Sequence, residues 1–413
     1  MRKILLISFG LFFLFSMIRC SDEKNPLDIQ KKEKGLPREL TSSEISLITS
    51  GNQFSFNIFK ETVNAEQDKN IFISPLSISM ALGMTYNGAG GTTEEAMKTT
   101  LGFDNMTVPE INSSYKSLLD LLLDLDEDVI MQIANSIWIR ENFPVEQEFI
   151  DLNSTYFDAE VTELDFSLAE AIEIINGWVN ENTNGKIEEI IDQIDPLTVM
   201  FLINALYFKG TWTYEFDPQE TKDDDFYLED GTAKTCRMMN LEGELDYYDN
   251  MMFQAVELPY GAGNYCMTVV LPREGTQIDD LISQLNDETW NSWINSFSST
   301  NVDLYLPKFK LEYEILLNDI LSSLGMGIAF TGGADFTKIN PVEQLFISKV
   351  KHKTFVDVNE EGTEAAAVTV VEMQLTSAPV STTMKVDRPF IFVIRESNSG
   401  TMLFMGKITE PSL

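Results

Sequence analysis

The chain has 413 residues, 44 % of them hydrophobic and 11 % aromatic, enough to build a sizeable core and to exclude disorder as the dominant state. Lys+Arg 29 against Asp+Glu 65 leaves a net charge of −36, which opposes any broad cationic face for nucleic acid. One histidine, His352, removes multi-histidine metal sites and gives a histidine-based triad a single place for its base, so most hydrolase chemistries are disfavoured while paired carboxylates survive.

Arg2 and Lys3 precede an uncharged apolar run from Ile4 to Ile18 that ends at Arg19-Cys20, a charged region and hydrophobic segment of secretory length, short for a membrane span. A cysteine directly after such a run resembles a bacterial lipoprotein signal. Cys20 would then be the lipidated first residue of an exported chain, held at the cell surface or in the periplasm. Arg19 stands where such signals carry a small residue, so ordinary secretion, cleavage elsewhere and an uncleaved anchor stay open. Residues 1–20 are read as the signal, and 21–47, polar with Pro26 and Pro37, as a flexible tether. The globular domain is expected over 48–413, with no repeat and no second linker.

Phe54 to Lys60 and the run opened by Pro75 have apolar residues at helical spacing, and helices are expected to dominate the first half. Later segments are short, β-branched or aromatic and bounded by breakers: Val256–Tyr260, Cys266–Pro272, Val302–Pro307, Phe390–Ile394 and Met402–Met405. The pattern is that of an α+β chain. Cys236 and Cys266 have no metal-site spacing and read as two buried free thiols rather than a bridge. Acidic runs such as Asp124 to Asp128 and Asp223-Asp-Asp225 read as solvated surface, and nothing in the sequence asks for a metal or cofactor.

Asn70-Ile-Phe-Ile-Ser-Pro-Leu-Ser-Ile-Ser-Met-Ala-Leu-Gly-Met84 with Gly88-Ala-Gly-Gly-Thr-Thr93 resembles the first signature of the serpin family. Ile175 to Val179 with Thr183-Asn-Gly-Lys-Ile187, and Asn204-Ala-Leu-Tyr-Phe-Lys-Gly-Thr-Trp212, are similar to its next blocks. Leu306-Pro-Lys-Phe309, Leu324-Gly-Met326, Asp387-Arg-Pro-Phe390 and Leu403-Phe-Met-Gly406 follow in the family's order across nearly all of 48–413. The resemblance implies helices around three β-sheets and an exposed reactive loop near the C-terminus. It further implies a monomeric, metastable inhibitor whose loop is cleaved by a serine protease and then inserts into the largest sheet.

Glu360 to Lys385 has no aromatic residue and few charges. Thr363, Ala365, Ala367, Thr369 and Val371 alternate as one small, charge-free strand face. Glu360-Glu361-Gly362-Thr363-Glu364-Ala365-Ala366-Ala367 looks like the hinge of inhibitory serpins. The family's spacing puts the scissile bond at Thr376-Ser377, with Ser377-Ala378 and Leu375-Thr376 as competitors. None of these presents Arg, which implies elastase-like or subtilisin-like targets. Papain-like cysteine proteases, or a non-inhibitory binding or chaperone-like role, are the alternatives; an enzymatic role is not expected.

On residues alone, His352 between Lys351 and Lys353 is either surface or buried, the surface placement being favoured. The resemblance instead puts it in a sheet-opening polar cluster with Ser74, Ser77 and Asn204. It places Trp212, otherwise an equally ordinary core aromatic, where the loop first enters the sheet.

Overall fold

The computed structural model describes residues 35–363 and 381–413. The ordered fold begins before the expected boundary at 48. Thr41 and Glu44 form a reciprocal capping box that starts helix α1 (Ser42–Ala65), and Leu47 is 3 % exposed. Residues 42–47 are therefore helix rather than tether. Arg38 fixes this corner by donating two hydrogen bonds to the buried Glu44 carboxylate at 2.6 and 2.9 Å. That contact holds Glu44 down to about 2.

Strand β1 (Ile71–Ile73) and helices α2 (Pro75–Tyr86), α3 (Gly91–Leu101) and α4 (Val108–Leu123) follow, then β2 (Val129–Arg140), α5 (Gln147–Tyr156), β3 (Glu160–Leu164), α6 (Glu170–Asn182) and β4 (Met200–Thr211). Helix α2 is buried almost all round, which its apolar composition permits, with Pro75 in its first turn and Ser74 as its cap. The middle of the chain supplies β5 (Lys222–Tyr227), β6 (Ala233–Asp249), β7 (Phe253–Tyr260), β8 (Tyr265–Pro272), α7 (Ile278–Gln284) and α8 (Asp287–Ile294). The remainder is β9 (Ser298–Pro307), β10 (Phe309–Leu316), α9 (Asn318–Leu321), β11 (Lys351–Val358), β12 (Gly362–Thr363), β13 (Thr382–Lys385), β14 (Phe390–Glu396) and β15 (Met402–Ile408).

Among the described residues two sheets organise these strands, where three were expected, because the long β6 pairs with β5, β7 and β9 and so joins their strands into one. One runs β1-β15-β14-β8-β7-β6-β9-β13 with β5 added on β6. Strands β8, β14 and β15 are buried at every position, as their unbroken apolar runs require. The second sheet runs β10-β11-β12-β4-β2-β3. Its inner face, including Ile137, Phe208 and Val356, joins the main core, while its outer face carries α6, whose Ala171, Ile175 and Val179 pack with Trp138 of β2 and Ile203 of β4. The α+β expectation holds, with long strands β2 and β4 in the half expected to be mostly helical.

Candidate functional site

The site lies in the second sheet, at the seam between β4 and β11. Among the described residues, β4 pairs with β2 and with the two-residue β12, and β11 pairs with β10 and the same β12. Two residues of this middle strand are described: Gly362 lies opposite Thr211, and Thr363 is flanked by Gly210 and Val358. Two glycines allow that approach. A Cβ on Gly362, which has φ 155°, would sit 2.0 Å from the Gly210 carbonyl oxygen, and one on Gly210 would meet the Tyr260 ring at 2.7 Å.

Side chains lock the mouth of the seam. The hydroxyls of Thr363 and Tyr260 share a buried hydrogen bond of 2.6 Å, and Tyr260, fully buried, is pushed well above its ordinary range by burial. Trp212 stacks on Tyr260 with ring centroids 4.4 Å apart and planes 13° from parallel. Its indole N–H donates to the Asn359 carbonyl at 2.9 Å, and its amide donates to the Glu361 carbonyl at 2.9 Å. Glu360 turns inward, accepting from Lys308 Nζ at 2.7 Å and from the Thr221 hydroxyl at 2.8 Å. Burial raises the Glu360 carboxyl, but Lys308, its own backbone amide and Thr221 outweigh that and hold it below the ordinary carboxylate range.

Further down the seam, period-2 alternation puts His352 on the buried face, with Lys351 and Lys353 on the other. The surface placement that the residues alone favour is therefore overturned. The Ser74 amide donates to His352 Nε2 at 3.0 Å, so this nitrogen carries no proton, and burial depresses the imidazole to about 3. The Ser74 hydroxyl donates to the Leu403 carbonyl at 2.8 Å and accepts from the Ser77 amide at 3.2 Å. Asn204 makes other contacts: its Nδ2 donates to Asn135 Oδ1 at 2.8 Å and approaches Met80 Sδ at 3.8 Å, while its buried Oδ1 has no partner among the described residues. The structure thus joins Ser74, Ser77 and His352 directly and places Asn204 in an adjoining amide pair.

Over the outer face, the turn after α6 spans Thr183 to Ile187. The Thr183 hydroxyl donates to the Val179 carbonyl at 2.8 Å and accepts from the Ile187 amide at 3.0 Å; Asn184 and Gly185 take positive φ. Asn184 Nδ2 donates to Gln132 Oε1 of β2 at 2.8 Å, and the Lys186 ammonium lies 4.8 Å from the ring centroid of Phe355 on β11.

Of the hinge, Glu360, Glu361, Gly362 and Thr363 are accounted for. Glu364, Ala365, Ala366, Ala367, the bond residues Leu375, Thr376, Ser377 and Ala378, and Cys20 lie outside the described residues. Cys236 and Cys266 are buried and unbridged, as expected. Among the described residues no His/Cys/Asp/Glu group suits a metal ion and no helix is long and apolar enough to cross a membrane. The acidic runs are surface with one exception: Asp126 is 7 % exposed and accepts from the Ala262 amide at 2.9 Å. Sequence reasoning missed Thr221, Lys308 and Tyr260 as partners of the hinge and Asn135 as partner of Asn204. Lys308 and Tyr260 fall within recognised sequence blocks, but nothing in the sequence pairs them with residues 52 and 103 positions away.

Helices packed on two large sheets, with Gly362–Thr363 placed between β4 and β11 among the described residues, define a protein of the α+β class. The family model "Serpin (serine protease inhibitor)" matches residues 49–411, and the chain belongs to the serpin family. It is 35 % identical to neuroserpin of Gallus gallus over 87 % of this chain and 90 % of that protein. It is 36 % identical to Iripin-8 of Ixodes ricinus over 90 % of this chain and 95 % of that one. Among solved structures, it superposes on the thermophilic serpin tengpin in the native state with TM-score 0.82, 33 % identity and coverage of 92 % and 97 %. Against human thyroxine-binding globulin the TM-score is 0.83, with 29 % identity and coverage of 90 % and 100 %.

Proposed function

We propose that this serpin is an irreversible, suicide-substrate inhibitor of serine proteases with shallow apolar pockets, elastase-like or subtilisin-like. The observation that carries the reading is Gly362–Thr363, seated between β4 and β11, which no other described strand joins. A target protease attacks the Thr376 carbonyl and forms an acyl-enzyme, releasing the chain that begins at Ser377. The freed strand then continues the register that Thr363 begins. Ala365 comes opposite Phe208 and Val356, Ala367 opposite Leu206 and Thr354, and Thr369 opposite Asn204 and His352. Small residues at these places fit a seam between packed strands, and Thr369 brings a hydroxyl to the unpartnered Oδ1 of Asn204. Thirteen residues at roughly 3.3 Å each carry the protease roughly 43 Å down the sheet.

The N-terminal pattern supports export, with Cys20 as the lipid-bearing residue, and the protein acts as a monomer. The test is titration of the purified full chain against pancreatic elastase and subtilisin. A heat- and SDS-resistant adduct near one-to-one, with a released peptide starting at Ser377, is the expected result. Loop cleavage with neither an adduct nor a gain in thermal stability refutes it. That outcome would favour the second reading, a binding protein, which has the likeness to thyroxine-binding globulin in complex with its hormone in its support.

A further inference from the structure

We infer that the target is a strongly cationic protease, drawn to this chain by charge, and that Glu242 and Asp303 are carboxylates that meet it. The inference rests on the proposed reading of the chain as a protease inhibitor and names the surface chemistry of its partner. A net charge of −36 gives the molecule a field that attracts cationic partners and repels anionic ones, reaching about 10 Å into solution at 0.1 M salt. The loop adds to that field: between Thr363 and Lys385 the sequence carries Glu364 and Glu372 and no cation. Thr382, where β13 begins, stands six residues after Thr376, a reach of at most roughly 20 Å. A protease at the scissile bond is therefore held against the sheet face around β13.

That face is acidic and its cations are taken. Strands β5, β6, β9 and β13 carry eight Asp and Glu residues against four Lys and Arg. Each of the four cations already has a carboxylate at 2.6 to 3.0 Å; Lys385 of β13, for one, takes Asp224. Glu242 of β6 and Asp303 of β9 are direct partners across their ladder, and Asp303 is in turn opposite Thr383 of β13. Side chains of direct partners stand on one face about 5 Å apart, so the exposed Glu242 and half-buried Asp303 repel each other beside the root of the loop. Asp303 accepts from Asn240 Nδ2 at 2.8 Å, and among the described residues neither carboxylate is paired with a cation. Like charges set opposite each other cost stability. A guanidinium or ammonium group on a docked partner removes that cost and gains a charge-assisted hydrogen bond, which a neutral or anionic surface cannot do.

The experiment measures association of the full chain with two subtilisins engineered to equal activity on a small peptide, one with a strongly cationic surface and one strongly anionic. Each is used with its catalytic serine intact and with that serine replaced by alanine, and rates are read by stopped-flow fluorescence between about 0.05 and about 0.5 M NaCl. The cationic form should associate about tenfold to a hundredfold faster at low salt, an advantage lost at high salt. Glu242→Gln with Asp303→Asn should slow it by about twofold to fivefold and flatten the salt slope, while raising the urea midpoint because a repulsion is relieved. Glu146→Gln with Glu148→Gln makes the same change in net charge at the start of α5, beyond the end of β2 remote from Gly210, and should slow it much less. Equal rates for the two subtilisins, or rates indifferent to salt, overturn the cationic target; equal losses from the two double variants overturn the part given to Glu242 and Asp303. Salt-dependent, cation-favouring association of the serine-to-alanine form, with no adduct from the active one, refutes the inhibitor reading and upholds the cationic partner. No association of either form overturns both.

Discussion

His352 offers a sharp test, because it is the only histidine in the chain and its Nε2 is occupied as an acceptor by the Ser74 amide. Burial holds it at about 3 in the folded protein, against about 6.5 in the unfolded chain. Below 6.5 the unfolded state therefore binds a proton that the folded state refuses, and stability is lost as pH falls from there until the folded value is reached. At pH 5 the linkage amounts to about 2 kcal/mol relative to pH 8, a substantial share of an ordinary domain's stability. Carboxylates ordinarily titrate lower, so between about pH 6.5 and 5 this imidazole contributes the largest single change, and comparison with a variant that lacks it subtracts the rest. The assay is urea unfolding at several pH values for the unaltered protein and for His352→Gln, whose side-chain oxygen can still accept from Ser74. The slope of stability against pH in that window should be present in the first and flattened in the second. Identical slopes would refute the assignment of a neutral, acceptor-bound imidazole.

Gly362→Ala puts a methyl group 2.0 Å from the Gly210 carbonyl oxygen, so β12 cannot form; adduct formation should slow by about tenfold, on the order of the cost of one lost strand pairing, and an unchanged rate would contradict the role of β12. Lys308→Met removes the cation from the inward-facing Glu360 and leaves Thr221 as its remaining side-chain partner. Partly screened, this should cost about 1–3 kcal/mol in urea unfolding at neutral pH, and Lys308→Arg should restore most of it. Arg38→Met strips the buried Glu44 of the partner that holds it at about 2. A loss of about 2 kcal/mol at pH 7 should shrink as pH falls below about 4.5 towards 2, because the lowered carboxyl contributes only where it is ionised. A loss that stays constant across that range would contradict the pairing.

The sequence makes some of this legible and hides the rest for identifiable reasons. Strands β8, β14 and β15 stand out because burial on both faces demands continuous apolar runs. Helix α1 begins six residues earlier than expected, although Thr41 and Glu44 carry a recognisable capping-box spacing; the polar first turn, with only Leu47 buried among apolar neighbours, masked it. His352 illustrates how flanking residues mislead. Two lysines suggest surface, yet alternation along a strand puts immediate neighbours on the opposite face. The hinge is legible as a run of small residues, but its partners Thr221, Lys308 and Tyr260 are brought to it only by the tertiary arrangement of strands and loops far apart in the chain. Asn204 shows the limit of a motif: its position in the sheet matches expectation, while its hydrogen bond goes to Asn135.

The stack of Trp212 on Tyr260 also makes the seam optically visible. Of the five tryptophans, Trp138 and Trp178 face each other beneath α6, and Trp290 and Trp293 form a separate pair, whereas Trp212 alone touches the hinge, through Asn359 and Glu361. Its emission should respond to any rearrangement of Gly362–Thr363 while the other four report a constant background. With each of those four replaced by phenylalanine, the protein would become a single-fluorophore instrument, its own recorder of the moment at which the sheet changes its number of strands.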